Sequence, residues 1–511
     1  MEFKLDNHFL SLKADPLTRN QPRAVLQAHY SFVTPRVFEA AQIVHYSEAT
    51  AALLGFSNEA IKSEVLQHLL KGQNTLGTTA YAACYGGHQF GHWAGQLGDG
   101  RAITFGQIKG KDQTYTLQFK GLGPTPYSRA GDGYAVLRSS IREYLMSEAM
   151  AYLGVPTTRA LSLALSGELV TRDRLYNGNP QKEPGAIVCR IAPHFIRFGS
   201  FEIFAAREDI EHLKLLVDYT IEQYYPDLSI ETNADYLLFF KAVMQKSLQT
   251  LIHWQSIGFV HGVLNTDNMS ISGETIDYGP YGFLDEFDPT WTPNTTDAEH
   301  RRYCYENQPN TVLWNLYKLA NALYPLVEDA KGFESILNRF KLEYELEFLK
   351  HMKLKLGCYG EHSSDEATID ELIELLRMSK ADYSLFFRRL SELNANQLNL
   401  DQFRAVFYIQ ELDENLQHRW KIWFKNLEQR WGEQIQTDSE RQVLMKAINP
   451  RFILRNYMLE EVIQAAESGD YQLLNEFAEL IKTPYEDNPK ASPWIKKKPD
   501  TVGDSALSCS S

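Results

Sequence analysis

Hydrophobic and polar positions change their period about two fifths of the way along the chain. Up to roughly residue 200, apolar residues come in short runs separated by glycine. "RAITFGQI" and "QTYTLQFKG" read as adjacent strands of an antiparallel sheet, and "GAIVCRIA" as a further strand. One segment here has a different rhythm. "SSIREYLMSEAMAYLG", from Ser139, spaces its apolar residues for one face of a helix and ends at glycine. After about Phe201 the helical period takes over, in "HLKLLVDYTIEQYY", "YLLFFKAVMQKSLQTLIHWQSIG" and "TVLWNLYKLANALYPLV". Further helices are expected over about 327–480, and no internal repeat is visible. The expected class is α+β. It has a β-rich part with an N-terminal extension at 1–198, a helical part at 199–326 and an additional helical region at 327–483. Residues 484–511 contain Pro484, Pro489, Pro493, Pro499, a KKK run and "DSALSCSS", and predict a flexible extension.

Composition narrows the class of protein. The 511 residues are 44% hydrophobic and 23% charged, ordinary for a soluble globular chain of two or three packed units. A formal net charge of −14 argues against a nucleic-acid partner, which needs a basic face, but leaves room for a local basic pocket. No apolar run approaches the ~18 residues of a membrane span. The start, "MEFKLDNHFLSLKADPLTRN", mixes acids with bases and lacks the apolar core of a signal or transit peptide. The five cysteines, Cys84, Cys189, Cys304, Cys358 and Cys509, are scattered without a CxxC pair, so a zinc site is not expected and a reducing cytoplasm is.

The densest chemistry lies in "HGVLNTDNMSISGETIDYG", His261 to Gly279. In kinases a His-x-Asp opens the catalytic loop, an Asn closes it five residues after that Asp, and a second Asp follows on the next strand. His261, Asn268 and Asp277 fit this spacing, and "IDYG" is a variant of Asp-Phe-Gly. Asp277 and Asn268 therefore offer two oxygen ligands for Mg²⁺ or Mn²⁺ held against nucleotide phosphates. Alone, Asp267-Asn268 also suits a turn or helix cap. Val263 stands where the kinase base belongs and cannot accept a proton. Asp267 is the one nearby carboxylate able to replace it, from a different position.

Three further stretches fit the same pocket. In "GGHQFGHWAGQLGDGRAITFGQI", residues 86–108, Gly98 and Gly100 let backbone N–H groups approach phosphate, and Arg101 adds a fixed charge. Such a run also serves as a plain turn. His88 and His92 have metal-pair spacing for a helix, but the surrounding glycines disfavour a helix, so they read as structural. In "LQFKGLGPTPYSRAGDG", Lys120 ends a strand like the kinase lysine, with Glu143 as its expected helix partner and Glu148 as the alternative. Asp132 and Gly133 follow as possible nucleotide contacts. In "CRIAPHFIRFGSFE", Arg190 and Arg197 stand seven apart, suited either to a polyphosphate or to ion pairs between lobes. The β-then-helical order with the loop in the helical half matches a bilobal protein-kinase-like fold.

Together these motifs, with "NQPNTVLWNLYKLA" and "NPRFILRNY", resemble the selenoprotein O family of kinase-like protein adenylyltransferases over nearly the whole chain. The resemblance implies ATP turned round in the cleft and AMP transferred to Ser, Thr or Tyr hydroxyls of proteins. It implies Asp267 as base, Asn268 and Asp277 as Mg²⁺ or Mn²⁺ ligands, and Lys120 with Glu143 steadying phosphates. Arg190 and Arg197 would bind the distal phosphates, with Gly98, Gly100, Arg101, Asp132, Gly133 and Asp277 completing the nucleotide site. Bacterial members are also linked to UMP transfer from UTP. Cys509, third from the end, matches the family's Sec or Cys, a candidate redox residue. Many members have a Cys after "FDP"; "FDPTWTPNTTD" has none here, and Cys304 is the nearest substitute. An atypical kinase and an inert pseudokinase scaffold are the alternative readings.

Overall fold

The apolar runs of the first 192 residues assemble into one nine-stranded antiparallel sheet in the computed structural model, which describes residues 5–174, 177–503 and 506–508. Its main strands are β1 (Tyr30–Phe32), β2 (Gln42–Tyr46), β3 (Tyr81–Ala83), β4 (Ala102–Lys109), β5 (Thr114–Lys120), β6 (Arg159–Arg172) and β7 (Gln181–Ala192). They lie in the order β1-β3-β4-β5-β7-β6-β2, with Leu5–Asp6 added to β4 and Ala135–Val136 to β7. The strands expected to be adjacent, β4 and β5, do pair. Register sets up the site. Gln118 lies opposite Thr104 on one side and Arg190 on the other, while Lys120 lies opposite Ala102 and Val188. Because side chains alternate, Gln118, Lys120 and Arg190 share a face.

Helix α1 (Leu137–Tyr152) crosses this sheet against β6 and β7 and is buried from Leu137 to Met150. A helix buried on every side must satisfy its own charged residues. Glu148 does so through Arg159, Ser47 and Thr50, and Arg142 through the carbonyls of Gly279 and Tyr281. The Arg142 contacts tie α1 to the segment after Asp277.

From Phe198 onward the chain is mainly helical: α2 (Phe198–Ala205), α3 (Ile210–Tyr224), α4 (Tyr236–Ile257), α5 (Gln308–Val327), α6 (Ala330–Lys355) and shorter helices beyond. Helix α4 ends at Gly258, whose φ of 72° is the left-handed stop that glycine allows without strain. Phe259–Val260 then pairs with Gly282–Phe283, so residues 261–281 form a loop closed at its base. A second apolar cluster, rich in aromatic rings such as Phe386, Trp420, Trp423 and Phe424, holds the later helices together.

Residues 484–503, expected to be a flexible extension, lie against the body. Ala491 is buried, Trp494 packs on Phe477 at 4.8 Å, and the Tyr485 hydroxyl donates to the Leu153 carbonyl at 2.9 Å. Leu507 is also buried, and its carbonyl accepts from the Thr295 N–H and hydroxyl. Cys509 lies outside the described residues. Cys304 is buried. No helix among the described residues is long and apolar enough to cross a membrane.

Candidate active site

Three stretches that are distant in sequence, β5, α1 and the segment holding Arg190 and Arg197, gather around Asp277. Its backbone has φ +57°, a left-handed conformation that aspartate tolerates better than most side chains. Oδ1 accepts from Lys120 Nζ at 2.9 Å and from Arg190 Nη1 at 2.7 Å, and Oδ2 accepts from Arg197. Lys120 also reaches both oxygens of Glu143, at 2.9 and 2.7 Å. Between the two candidate partners, the structure pairs Lys120 with Glu143 and gives Glu148 to Arg159.

Three cations thus surround two carboxylates. Burial alone would raise the Asp277 pKa, but Arg197, Lys120 and Arg190 outweigh it and hold the group well below the usual carboxylate range. Burial, reinforced by the Arg190 charge, lowers Lys120 against the pull of Asp277 and Glu143. Arg101 is near enough to add to that lowering, which puts its charge on the same pocket. With Arg101, four cations face Asp277, Glu143 and the more distant Asp99, a local excess of positive charge in a chain of net −14.

The arginines are held from behind. Gln118 Oε1 accepts from Arg190 Nε at 2.9 Å and Nη2 at 2.6 Å, and Gln118 Nε2 donates to Asp99 at 3.2 Å. Asp99 lies 3.9 Å from Arg197 and also accepts from the Ala83 N–H. Arg190 has no exposed surface, and Arg197 almost none. The sequence singled out neither Gln118 nor Asp99. The available signals were Asp99's place between Gly98 and Gly100, and Gln118's place two residues before Lys120 on one strand face.

Asp267 has a different environment. It is buried; among the described residues its Oδ1 has no hydrogen-bond partner, and Oδ2 accepts from Gln89 at 3.1 Å. Burial is the largest influence and pushes its pKa up to about 7, against the lowering effects of Gln89 and Arg197. Arg197 Nη1 donates to the Asp267 carbonyl at 2.7 Å, linking it to the Asp277 cluster. A small hairpin, His88–Gln89 with His92–Trp93, lies over it. The His88 N–H donates to Thr266 Oγ1 at 2.7 Å, and His88 Nδ1 contacts Glu202 at 2.5 Å. His88 and His92 are therefore in a hairpin rather than on a helix.

Asn268 Nδ2 donates to the Val263 carbonyl at 3.0 Å, which leaves Oδ1 as the side-chain atom that could meet a metal. Among the described residues there is no cluster of three or more His, Cys, Asp or Glu suited to a metal. Two oxygen donors, Asn268 and Asp277, are nevertheless the kind of set Mg²⁺ uses when phosphates and water supply the rest.

The glycines have steric reasons. At Gly98 (φ +88°) a Cβ would lie 2.4 Å from Tyr127, and at Gly100 2.8 Å from the Tyr127 carbonyl. At Gly133 (φ +77°) a Cβ would lie 2.2 Å from Gly123 backbone. Gly133→Ala is expected to destabilise the fold by at least ~1–3 kcal/mol, read as a lower midpoint in thermal denaturation. Asp132, beside it, is exposed and paired with Arg172 at 2.7 Å.

Comparison with known proteins gives the family of the chain. The model of the family described as protein adenylyltransferase SelO matches residues 13–482. A protein nucleotidyltransferase YdiU from Flavobacterium johnsoniae is 48% identical over 518 residues, covering 99% of each chain. The protein of that name from Azoarcus sp. is 45% identical over 513 residues, again covering 99% of each chain. One from Xanthomonas campestris pv. campestris is 45% identical over 507 residues, covering 98% of each. With the family model spanning the sheet, the 261–281 loop and the later helices, and with relatives nearly half identical from end to end, the chain belongs to the protein adenylyltransferase SelO family.

Proposed function

We propose that this protein transfers AMP from ATP to Ser, Thr or Tyr hydroxyls of other proteins and releases pyrophosphate, with UMP from UTP as a second donor reaction. The observation that carries this reading is the contrast between two aspartates linked through Arg197. Asp277 is held ionised by three cations, as a phosphate-side anchor requires. Asp267 is held near neutrality by burial, as a base working near pH 7 requires.

In this reading the bilobal, kinase-like cleft lies between the sheet and the helical half. Lys120, Arg190, Arg197 and Arg101 supply fixed positive charge for the polyphosphate. Glu143 orients Lys120, and Gly98, Gly100 and Gly133 shape the backbone around the nucleotide. Arg190 is too enclosed to meet phosphate without a change in its partners. A polyphosphate that replaces part of Asp277 as counter-charge gives it and Arg197 that freedom. Asn268 and Asp277 hold Mg²⁺ or Mn²⁺, which when bound neutralises phosphate charge. Asp267 takes the proton from the acceptor hydroxyl as its oxygen attacks the α-phosphorus; the bond to the pyrophosphate oxygen breaks, and the leaving group departs into the arginine-rich side.

Intact-mass measurement of a modified acceptor tests this directly. A gain of AMP supports the reading, and a gain of phosphate alone makes the protein a kinase. The rate is expected to rise with pH through about 7 as Asp267 ionises. A profile flat from pH 5 to 9 would remove Asp267 from the role of base.

A further inference from the structure

The hairpin over Asp267 has a second neighbour. Its turn at Gly91 sits on the Arg302 guanidinium, 3.6 Å from where a Cβ would be. That guanidinium lies 4.4 Å from the Trp314 ring, and Lys318 Nζ lies 4.6 Å from the same ring. Trp314 and Lys318 are one turn apart on α5, so they share a face. Two cations therefore crowd one indole.

Neither cation has a carboxylate in direct contact among the described residues, although Arg302 lies in the field of Asp297. Arg302 Nε and Nη2 are buried and have no hydrogen-bond partner. Among the described residues, neither Arg302 nor Lys318 forms an ion pair, and the carboxylate whose charge Arg302 feels, Asp297, is taken by the N–H groups of Arg302 and Tyr303. Arg190, Arg197 and Arg455, buried elsewhere, each face at least one carboxylate. Leaving guanidinium donors unmet costs free energy, and the cost is removed by an incoming anion. The surroundings are those of a protein contact. Trp93 is 40% exposed and Tyr317 41%, and Trp, Tyr and Arg are the residues that anchor interfaces. The patch is also next to the reaction. The His88 ring is 5.2 Å from Trp93 and 5.4 Å from Trp314, and the His88 backbone N–H donates to the hydroxyl of Thr266, the residue before Asp267.

We propose that Arg302, Lys318 and the Trp314 ring form a docking site for an acidic side chain of the acceptor protein, Asp or Glu, close in sequence to the hydroxyl being modified. This rests on Asp267 marking the acceptor side of the site. The carboxylate pairs with the Lys318 ammonium and with the Arg302 guanidinium, whose enclosed Nε and Nη2 it reaches as the hairpin turn at Gly91 moves off them, while Trp93 and Tyr317 flank the acceptor backbone.

The test separates docking from transfer. Two fluorescent peptides are compared, each with phenylalanine in place of a hydroxyl residue, one flanked by glutamates and the other by glutamines. The glutamate peptide is expected to bind about tenfold more tightly, with the preference shrinking as salt rises. Arg302→Gln with Lys318→Gln should remove the preference, and Lys318→Glu, on the partly exposed helix face, should turn it towards a lysine-flanked peptide. ATP binding by each variant checks that the cleft is intact. Equal binding of the two peptides by the wild type overturns the proposal, as does a preference unchanged in the variants. With tyrosine restored, KM should be lower for the glutamate peptide at unchanged kcat; binding without that difference assigns the patch to something other than the acceptor and equally overturns the proposal. Absence of nucleotidyl transfer to any acceptor would instead be a failure of the proposed function, visible with the docking arms intact.

Discussion

Asp267→Asn is expected to lower transfer by about 10²–10⁴-fold, the usual contribution of a positioned base, while nucleotide binding persists. The substitution keeps shape and an acceptor oxygen for Gln89 but cannot take a proton. Its effect on stability should run opposite to its effect on activity. Burial raises the folded-state pKa of Asp267 from 3.8 to about 7, so the protonated form favours folding. That stabilisation is fully present below the unfolded value and is lost as pH rises through the folded one. Wild type therefore loses stability between about pH 4 and 7 from this group, and the asparagine variant does not. Denaturation midpoints measured across that range should diverge in favour of Asp267→Asn as pH rises. A variant that is inactive and equally destabilised at every pH would mean that Asp267 is a structural residue.

Asp277→Ala should fail in the other way, losing both transfer and stability. Removing this carboxylate leaves Lys120 and Arg190 with Glu143 and Arg197 with only the more distant Asp99. Breaking a buried charge cluster by deleting one partner costs about 3–5 kcal/mol. Because the Asp277 pKa is depressed, its contribution is present above the unfolded value and disappears as pH falls towards the folded one. The wild-type advantage over Asp277→Ala should accordingly be large at neutral pH and shrink in acid. Tripolyphosphate, an anion with no nucleoside, should recover part of the lost midpoint by standing in as counter-charge. Full stability in the variant without any anion would contradict the charge surplus described for this pocket.

Local pattern disclosed the strands β4 and β5, helix α1 and the three long helices after residue 200, because each buries a face with its own period. Spacing singled out His261, Asn268 and Asp277, and the structure places all three within the one loop closed by Phe259–Val260 and Gly282–Phe283. The convergence of Lys120, Glu143 and Arg190 on Asp277 depends on register across β5 and β7 and on how α1 lies over the sheet. The choice of Glu143 over Glu148 illustrates this. The two are five residues apart on α1, and only the presence of Arg159, Ser47 and Thr50 commits Glu148 elsewhere. Gln118 and Asp99 carry no motif; they matter because a sheet face places them behind two arginines. The extension at 484–503 misleads by its prolines, since a few anchors, Tyr485, Ala491 and Trp494, suffice to dock it.

The most direct test uses ATP labelled on either the α- or the γ-phosphate, with Mg²⁺ or Mn²⁺, and compares wild type with Asp267→Asn and Asp277→Ala. Metal-dependent label on protein from the α position, absent from the γ position and lost in both variants, is the predicted result. Label from the γ position alone would make the protein a kinase whose missing Asp at Val263 has been replaced, and would contradict the account.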